Sequence, residues 1–515
     1  MRKPFLGLLL FCGLMLSAPA VQPQTGQPPA ARQPSAPQQP PAAQTSPSPQ
    51  ASPSPTAQPP KGNNRVEIEE VPKDHKLTPE ESRDLLASVE EVLKFVGKDT
   101  LLPIKHDVKK QIVSRAEVEK YVSTKFETDA DRIRFERSEL VLKKFGLLPR
   151  TFDLHAYLIK LLTEQVAGYY DEKTQTMNLL DWIAPDMQKA VMAHELTHAL
   201  QDQSYDLLKM NKKEEEIEKR GLQDLQALLK NDEESTCRSA VLEGQGMIVL
   251  FDYELAPYGK SVETSPEVVD AAQGSMEKDK SSPVLDSAPL LLQEELLFPY
   301  RQGMNFIKEL LLAGGKKMAY ASVFEHMPQT TREIMEPKEY LAGHRVPPLF
   351  LPDMGFLKKD YEAYDAGAVG ELDVSILLKI YSEEAVANHL ASEWRGGAYY
   401  AAGHRQSKPI DKNSTGHIGL FYISKWSTSI AAREFARIYG AALAGRYNRL
   451  QRAEADPSKP GLDKFISADG PIYIQQTGNV VIATESFDPE TANKLIAAGL
   501  KQGGERVAQK SVTRF

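Results

Sequence analysis

The stretch His194-Glu195-Leu196-Thr197-His198 has the form H-E-x-x-H, inside a segment, Met187 to Leu208, whose pattern predicts a helix. One helical turn separates the two histidines, so both imidazoles leave the same face. Two neutral imidazole nitrogens so placed can take two corners of a tetrahedral zinc site. Glu195, beside the first histidine, can serve as general base toward a metal-bound water. Catalytic zinc needs a third protein ligand, with the fourth position left to water. The extended pattern H-E-x-x-H-x-x-G-x-x-H requires Gly at 201 and His at 204. Gln201 and Ser204 stand there and exclude it.

Asp202 and Asp206 are near enough in sequence to compete for the third position, and Asp202 can alternatively support the helix or orient a ligand. Glu243 is the better candidate. It sits in an apolar run with helical spacing, Ala240-Val241-Leu242-Glu243-Gly244-Gln245-Gly246, and a buried carboxylate is costly unless paired or bound to metal. Each Gly costs a helix about 1 kcal/mol relative to Ala, so Gly244 and Gly246 imply close backbone packing against the motif helix. The competing reading pairs Glu243 with Arg238 on a half-exposed face. Cys237 is read as core. His155, His326, His389 and His404 lack partners at ligand spacing and are read as core or surface.

Upstream of the motif, Val166 to Tyr170 and Thr176 to Leu180 are expected to be two strands joined by a turn, with Pro185 opening the helix. Further upstream is a helical preface. Thr78-Pro79-Glu80-Glu81 is a helix start, Ser114 with Glu117 is another, and Asp129 to Phe145 and Phe152 to Val166 follow. Downstream, the charge run Asn211 to Arg220 is expected to be solvated, Ser235 to Leu250 helical, Ser261 to Ser287 a surface loop, Leu290 to Met318 helical, and Met327 to Leu351 irregular. From about Asp365 the pattern becomes strands and helices: helix over Val374 to Trp394, strands at Gly397 to Ala402 and Ile418 to Ser424, helix over Thr428 to Leu443, a hairpin around Thr477-Gly478, and a closing helix from Pro489. The expected fold class is α+β: a domain over 65–365 that carries the motif and has a helical N-terminal part, then an α+β domain over 366–515.

Residues 1–20 have the form of a secretory signal: Arg2 and Lys3, an apolar stretch from Phe5 to Leu16, then Ala18-Pro19-Ala20. Residues 21–64 are rich in Pro, Gln and Ser and are expected to form a disordered linker. The chain is thus expected to be exported, to the periplasm or beyond the cell, with no membrane span in the mature chain. Without the signal one cysteine remains, so no internal disulfide can form. The formal net charge of −8 argues against a nucleic-acid partner.

His194-Glu195-x-x-His198 with Glu243-Gly244 on a second helix resembles the gluzincin class of zinc metallopeptidases. More closely, the chain resembles a group of bacterial exported zincin-like proteins. The resemblance is carried by Val166 to Asp171, His194 to Gln203 (HELTHALQDQ), Ala240 to Gly246 and Pro328 to Tyr340. It implies a zincin-like domain over 65–365 in which His194, His198 and Glu243 bind zinc and Glu195 moves the proton. It also implies a peptide or protein substrate, paired along a sheet edge at Thr176 to Leu180. Tyr169 and Tyr170 are candidates to line the cleft, with one of them a candidate oxyanion donor, and are equally read as cross-strand packing residues. The chain departs from that group at Gln245, where an acidic residue is usual, and at Glu336, where His is expected before Pro337. A catalytically inactive zincin-fold scaffold of the cell envelope is the alternative.

Overall fold

The computed structural model describes residues 75–124, 129–278, 280–405 and 414–504. The expected signal, the 21–64 linker and the first residues of the 65–365 domain lie outside the described residues. So does the end of the expected C-terminal domain. The described chain is mixed helix and strand, with helices first and a large sheet last, an α+β fold.

The helical preface forms where capping and apolar spacing agree. Thr78 caps α1 (Pro79–Thr100): its hydroxyl accepts from the Glu81 N–H at 3.2 Å, and the Glu81 carboxylate accepts from the Thr78 N–H at 2.8 Å. Leu85, Val89, Val92, Leu93 and Val96 form its buried stripe. Then come β1 (Lys109–Val113), α2 (Arg115–Thr124), α3 (Asp129–Phe145) and α4 (Leu154–Gln165).

The hairpin strands are β2 (Tyr169–Asp171) and β3 (Thr176–Leu180), and the motif helix is α5 (Pro185–Tyr205). β1 pairs with β3 in parallel and β2 pairs with it antiparallel, so the order is β1-β3-β2. This corrects the expected substrate edge. Thr176 to Leu180 is the central strand, buried along its whole length, paired with β1 throughout and with β2 from Thr176 to Asn178. The missing partner was β1, whose KKQIV stretch is mostly polar and has no clear strand signal of its own. Gln188 joins β3 to α5: its side-chain oxygen accepts from Leu180 N, and its amide nitrogen donates to the Leu180 and Ile183 carbonyls.

Asp206, at φ 56°, ends α5, and its side chain caps α6 (Leu207–Arg220). The charge run therefore is a helix, and Glu214 and Glu218 pair with Arg238 and Arg134. The 31-residue α7 (Leu225–Leu255) follows. The expected surface loop contains α8 (Glu267–Lys278) and α9 (Pro283–Asp286). The buried face of α8, Val268, Val269 and Met276, is too sparse to stand out among polar residues. Next come α10 (Leu290–Lys317), one turn of π-helix over Met318–Ser322, α11 (Val323–Glu325), α12 (Thr331–Met335) and α13 (Pro337–Leu341). Helix α5 packs against α1 and α7, and α7 packs in turn on α10.

The last part contains β4 (Tyr361–Ala368), α14 (Glu371–Tyr381), α15 (Glu384–Ser392), β5 (Trp394–His404), β6 (Ile418–Trp426), α16 (Ser429–Arg446), β7 (Gln451–Arg452), β8 (Leu462–Ser467), β9 (Gly470–Thr477), β10 (Val480–Glu485) and α17 (Pro489–Gly504). The helix expected over Val374 to Trp394 breaks at Ser382, which is extended. The seven strands form one antiparallel sheet, β4-β5-β6-β10-β9-β8-β7. Strands β5, β6 and β10 are buried on both faces: Tyr399 and Ala401 belong to the core shared with the helices, while Ala398, Tyr400 and Ala402 belong to a smaller core that includes residues of α17. The boundary expected between 365 and 366 falls inside β4, and the helix-side core runs from Leu77 to Ala483.

Candidate metal centre

Helix α5 brings His194, Glu195 and His198 to its buried side, and α7 brings Glu243 to meet them. The Nε2 atoms of His194 and His198 stand 3.0 Å apart. Glu243 Oε2 lies 3.2 Å from the first and 3.6 Å from the second. These three residues are the one group of His, Cys, Asp or Glu among the described residues whose ligand atoms converge for a metal ion. The sequence-predicted ligands are therefore brought together. Arg238 pairs with Glu214 rather than with Glu243. Asp202 is engaged elsewhere, accepting from Tyr170 Oη at 2.8 Å and from Leu207 N at 3.0 Å. Cys237 is core.

The two glycines after Glu243 have different jobs. A Cβ on Gly246 would lie 2.7 Å from His194 Cε1, so the imidazole rests directly on the α7 backbone there. A Cβ on Gly244 would lie 2.3 Å from the Gly303 carbonyl oxygen, so this glycine serves the α7–α10 crossing. The expectation that both pack against the motif helix holds for Gly246 and is corrected for Gly244.

Glu195 is oriented by the strand before it: Tyr170 N donates to Oε2 at 3.0 Å. Its other oxygen, Oε1, is buried without a hydrogen-bond partner among the described residues. Burial pushes its carboxyl up to about 8, helped by the Glu243 carboxylate and opposed by His198 and the Tyr170 N–H. Glu243 is held at about 2: the cost of burial is outweighed by the two histidines. Burial lowers His194, with His198 adding to it. For His198 burial acts downward too, but Glu243, Glu195 and Gln201 outweigh it and raise the imidazole.

Two residues with no assigned role in the sequence reading complete the setting. Gln201 Oε1 lies 2.7 Å from His198 Nδ1. Its amide nitrogen donates to the Leu242 carbonyl at 3.1 Å and to Gln245 Oε1 at 2.8 Å. Gln245 Nε2 donates to the Ala319 carbonyl at 2.6 Å. Gln201 was legible in principle, lying three residues from His198 on one helix face. Gln245 was not, because its role depends on where α10 ends. Of the proposed cleft residues, Tyr170 is tied to Asp202, and Tyr169 stacks on Tyr121 with centroids 4.4 Å apart. Glu336 stands at the N-cap position of α13, and its charge adds to the burial that raises Glu371. No family model, curated protein or solved structure matches this chain.

Proposed function

We propose that this chain is an exported zinc-dependent metallopeptidase that hydrolyses peptide bonds. The carrying observation is the convergence of two imidazole nitrogens and one carboxylate oxygen at separations of 3.0, 3.2 and 3.6 Å. Ligands about 2.0–2.1 Å from a tetrahedral ion stand about 3.3 Å from one another, so the three fit zinc. His194 and His198 would hold it through Nε2, and Glu243 through Oε2. When bound, zinc supplies Lewis acidity and brings the pKa of water from about 15.7 to about 7.

Glu195 carries the proton. The Tyr170 N–H occupies Oε2, which leaves Oε1 to take the proton of the attacking water and hand it to the leaving amine. A cation beside it would favour the carboxylate, offsetting the burial that raises it. The peptide assignment rests on this chemistry and on the resemblance, since β3 offers no free edge. The export assignment rests on residues 1–20.

One observation favours the scaffold reading. His194, Glu195, His198 and Glu243 are only 0%, 0%, 1% and 5% exposed. A peptide reaches them only if a neighbouring element moves. Hydrolysis of a mixed peptide library by the zinc-loaded chain and by Glu195→Gln decides. The expected result is cleavage by the wild type, a loss of about 10²–10⁴-fold in the variant, and equal zinc content. Equal cleavage by both sinks the mechanism. No cleavage by either, with stoichiometric zinc, favours the scaffold.

A further inference from the structure

Four buried groups form a single file from the π-helical turn after α10 to the candidate metal centre: the Ala319 carbonyl, Gln245, Gln201 and His198. Gln201 and Gln245 are fully buried, so water cannot rearrange their bonds. The file has one consistent direction. Ala319 presents a main-chain carbonyl, which only accepts, so Gln245 must turn its nitrogen toward it. Gln245 Oε1 then faces Gln201 and requires a donor. Gln201 answers with its nitrogen, which also donates to the Leu242 carbonyl. Gln201 Oε1 is left facing His198 and demands a proton on Nδ1. Nε2, the atom turned to His194 and Glu243, stays available as a ligand.

From this we infer, on the metal-centre reading above, that Gln201 and Gln245 are positioning residues forming an amide relay. The relay sets the His198 tautomer and ring angle from the Ala319 carbonyl. It begins in the π-helical turn Met318–Ser322, a form of helix frequent at functional sites. Helix α5 holds the same turn independently, through Tyr205 Oη on the Tyr320 carbonyl at 2.8 Å. The relay also accounts for an amide at 245: an ionised carboxylate would accept from Gln201 but could not donate to Ala319.

The test uses two readouts on the full chain. In the metal-free protein, long-range nitrogen–proton correlation is expected to show a proton on His198 Nδ1, with its hydrogen-bonded shift lost in Gln201→Leu. A His198 protonated only on Nε2 overturns the relay. Zinc affinity, read by competition with a chromophoric chelator, is expected to fall about 10–100-fold in Gln201→Leu, as for other lost outer-shell partners. Gln201→Glu, which keeps an acceptor for Nδ1, is expected to bind zinc more tightly than Gln201→Leu; the reverse order overturns the proposal. Gln245→Leu is expected to weaken binding when Gln201 is present and to add nothing in the double variant; additive losses overturn it. A wild type that carries the Nδ1 proton yet takes up no zinc leaves the relay standing and refutes the metal-centre reading.

Discussion

At the scale of the residue, the site depends on what is absent from position 246 as much as on its ligands. The His194 ring occupies the space where a Cβ would be, 2.7 Å from Cε1. Gly246→Ala should therefore displace the imidazole and weaken zinc binding by about 10-fold or more, in the range of lost outer-shell support. Alanine also favours the helix by about 1 kcal/mol over glycine. The loss of metal affinity is thus expected to exceed any loss of stability, and chelator competition beside urea unfolding checks this.

At the scale of the element, α7 is the beam that joins the site to the rest of the helices. One face gives Glu243 and Gly246 to α5, and another gives Gly244 to α10. The crossing is a contact of backbones: a Cβ on Gly303 would lie 2.1 Å from the Ala240 carbonyl oxygen. Backbone cannot swing aside as a side chain can, so Gly303→Ala is expected to destabilise the fold by about 1–3 kcal/mol or more. Gly274, in α8, has open space around its Cβ direction. Gly274→Ala is expected to stabilise by about 0.4–1 kcal/mol. Urea midpoints of the two variants should move in opposite directions.

At the scale of the whole molecule, buried carboxyls outside the candidate metal centre make stability depend on pH. Burial, with the Asp99 carboxylate alongside, pushes Asp252 up to about 7. Burial likewise raises Glu371 to about 7 against the pull of Arg332, and Glu333 to about 6 against that of Arg345. In the unfolded chain such groups release their protons near pH ~4. Between there and about 7 the native state binds more protons, so its stability falls as pH rises through that window. Melting temperature is expected to drop from about pH 5 to about pH 8. Asp252→Asn, which keeps an acceptor for the Val262 N–H, should flatten the slope and stabilise the chain at the alkaline end. On the proposed metal-centre reading, zinc bound to the native state alone would add a second global dependence by mass action. A chelator should lower the melting temperature of the wild type and leave His194→Ala unchanged.

The sequence by itself determined the local features. H-E-x-x-H on a helix, the Thr78 cap, the Pro185 start, the final hairpin and the α+β class follow from periodicity and capping, which act over a few residues. Glu243 was legible because a carboxylate in an apolar run needs a partner. Tertiary structure decided what depends on distant neighbours. β3 became a central strand because β1, more than sixty positions earlier in its register (Lys109 to Thr176), pairs with it. Gly244 and Gly246 were divided between two helices because α10 packs against α7 at the first and α5 at the second. Gln245 gained its role because α10 ends in a π-turn that brings the Ala319 carbonyl within 2.6 Å. Spacing along the chain reports which side chains share a face, but which backbone atoms lie opposite that face is set only when the helices pack.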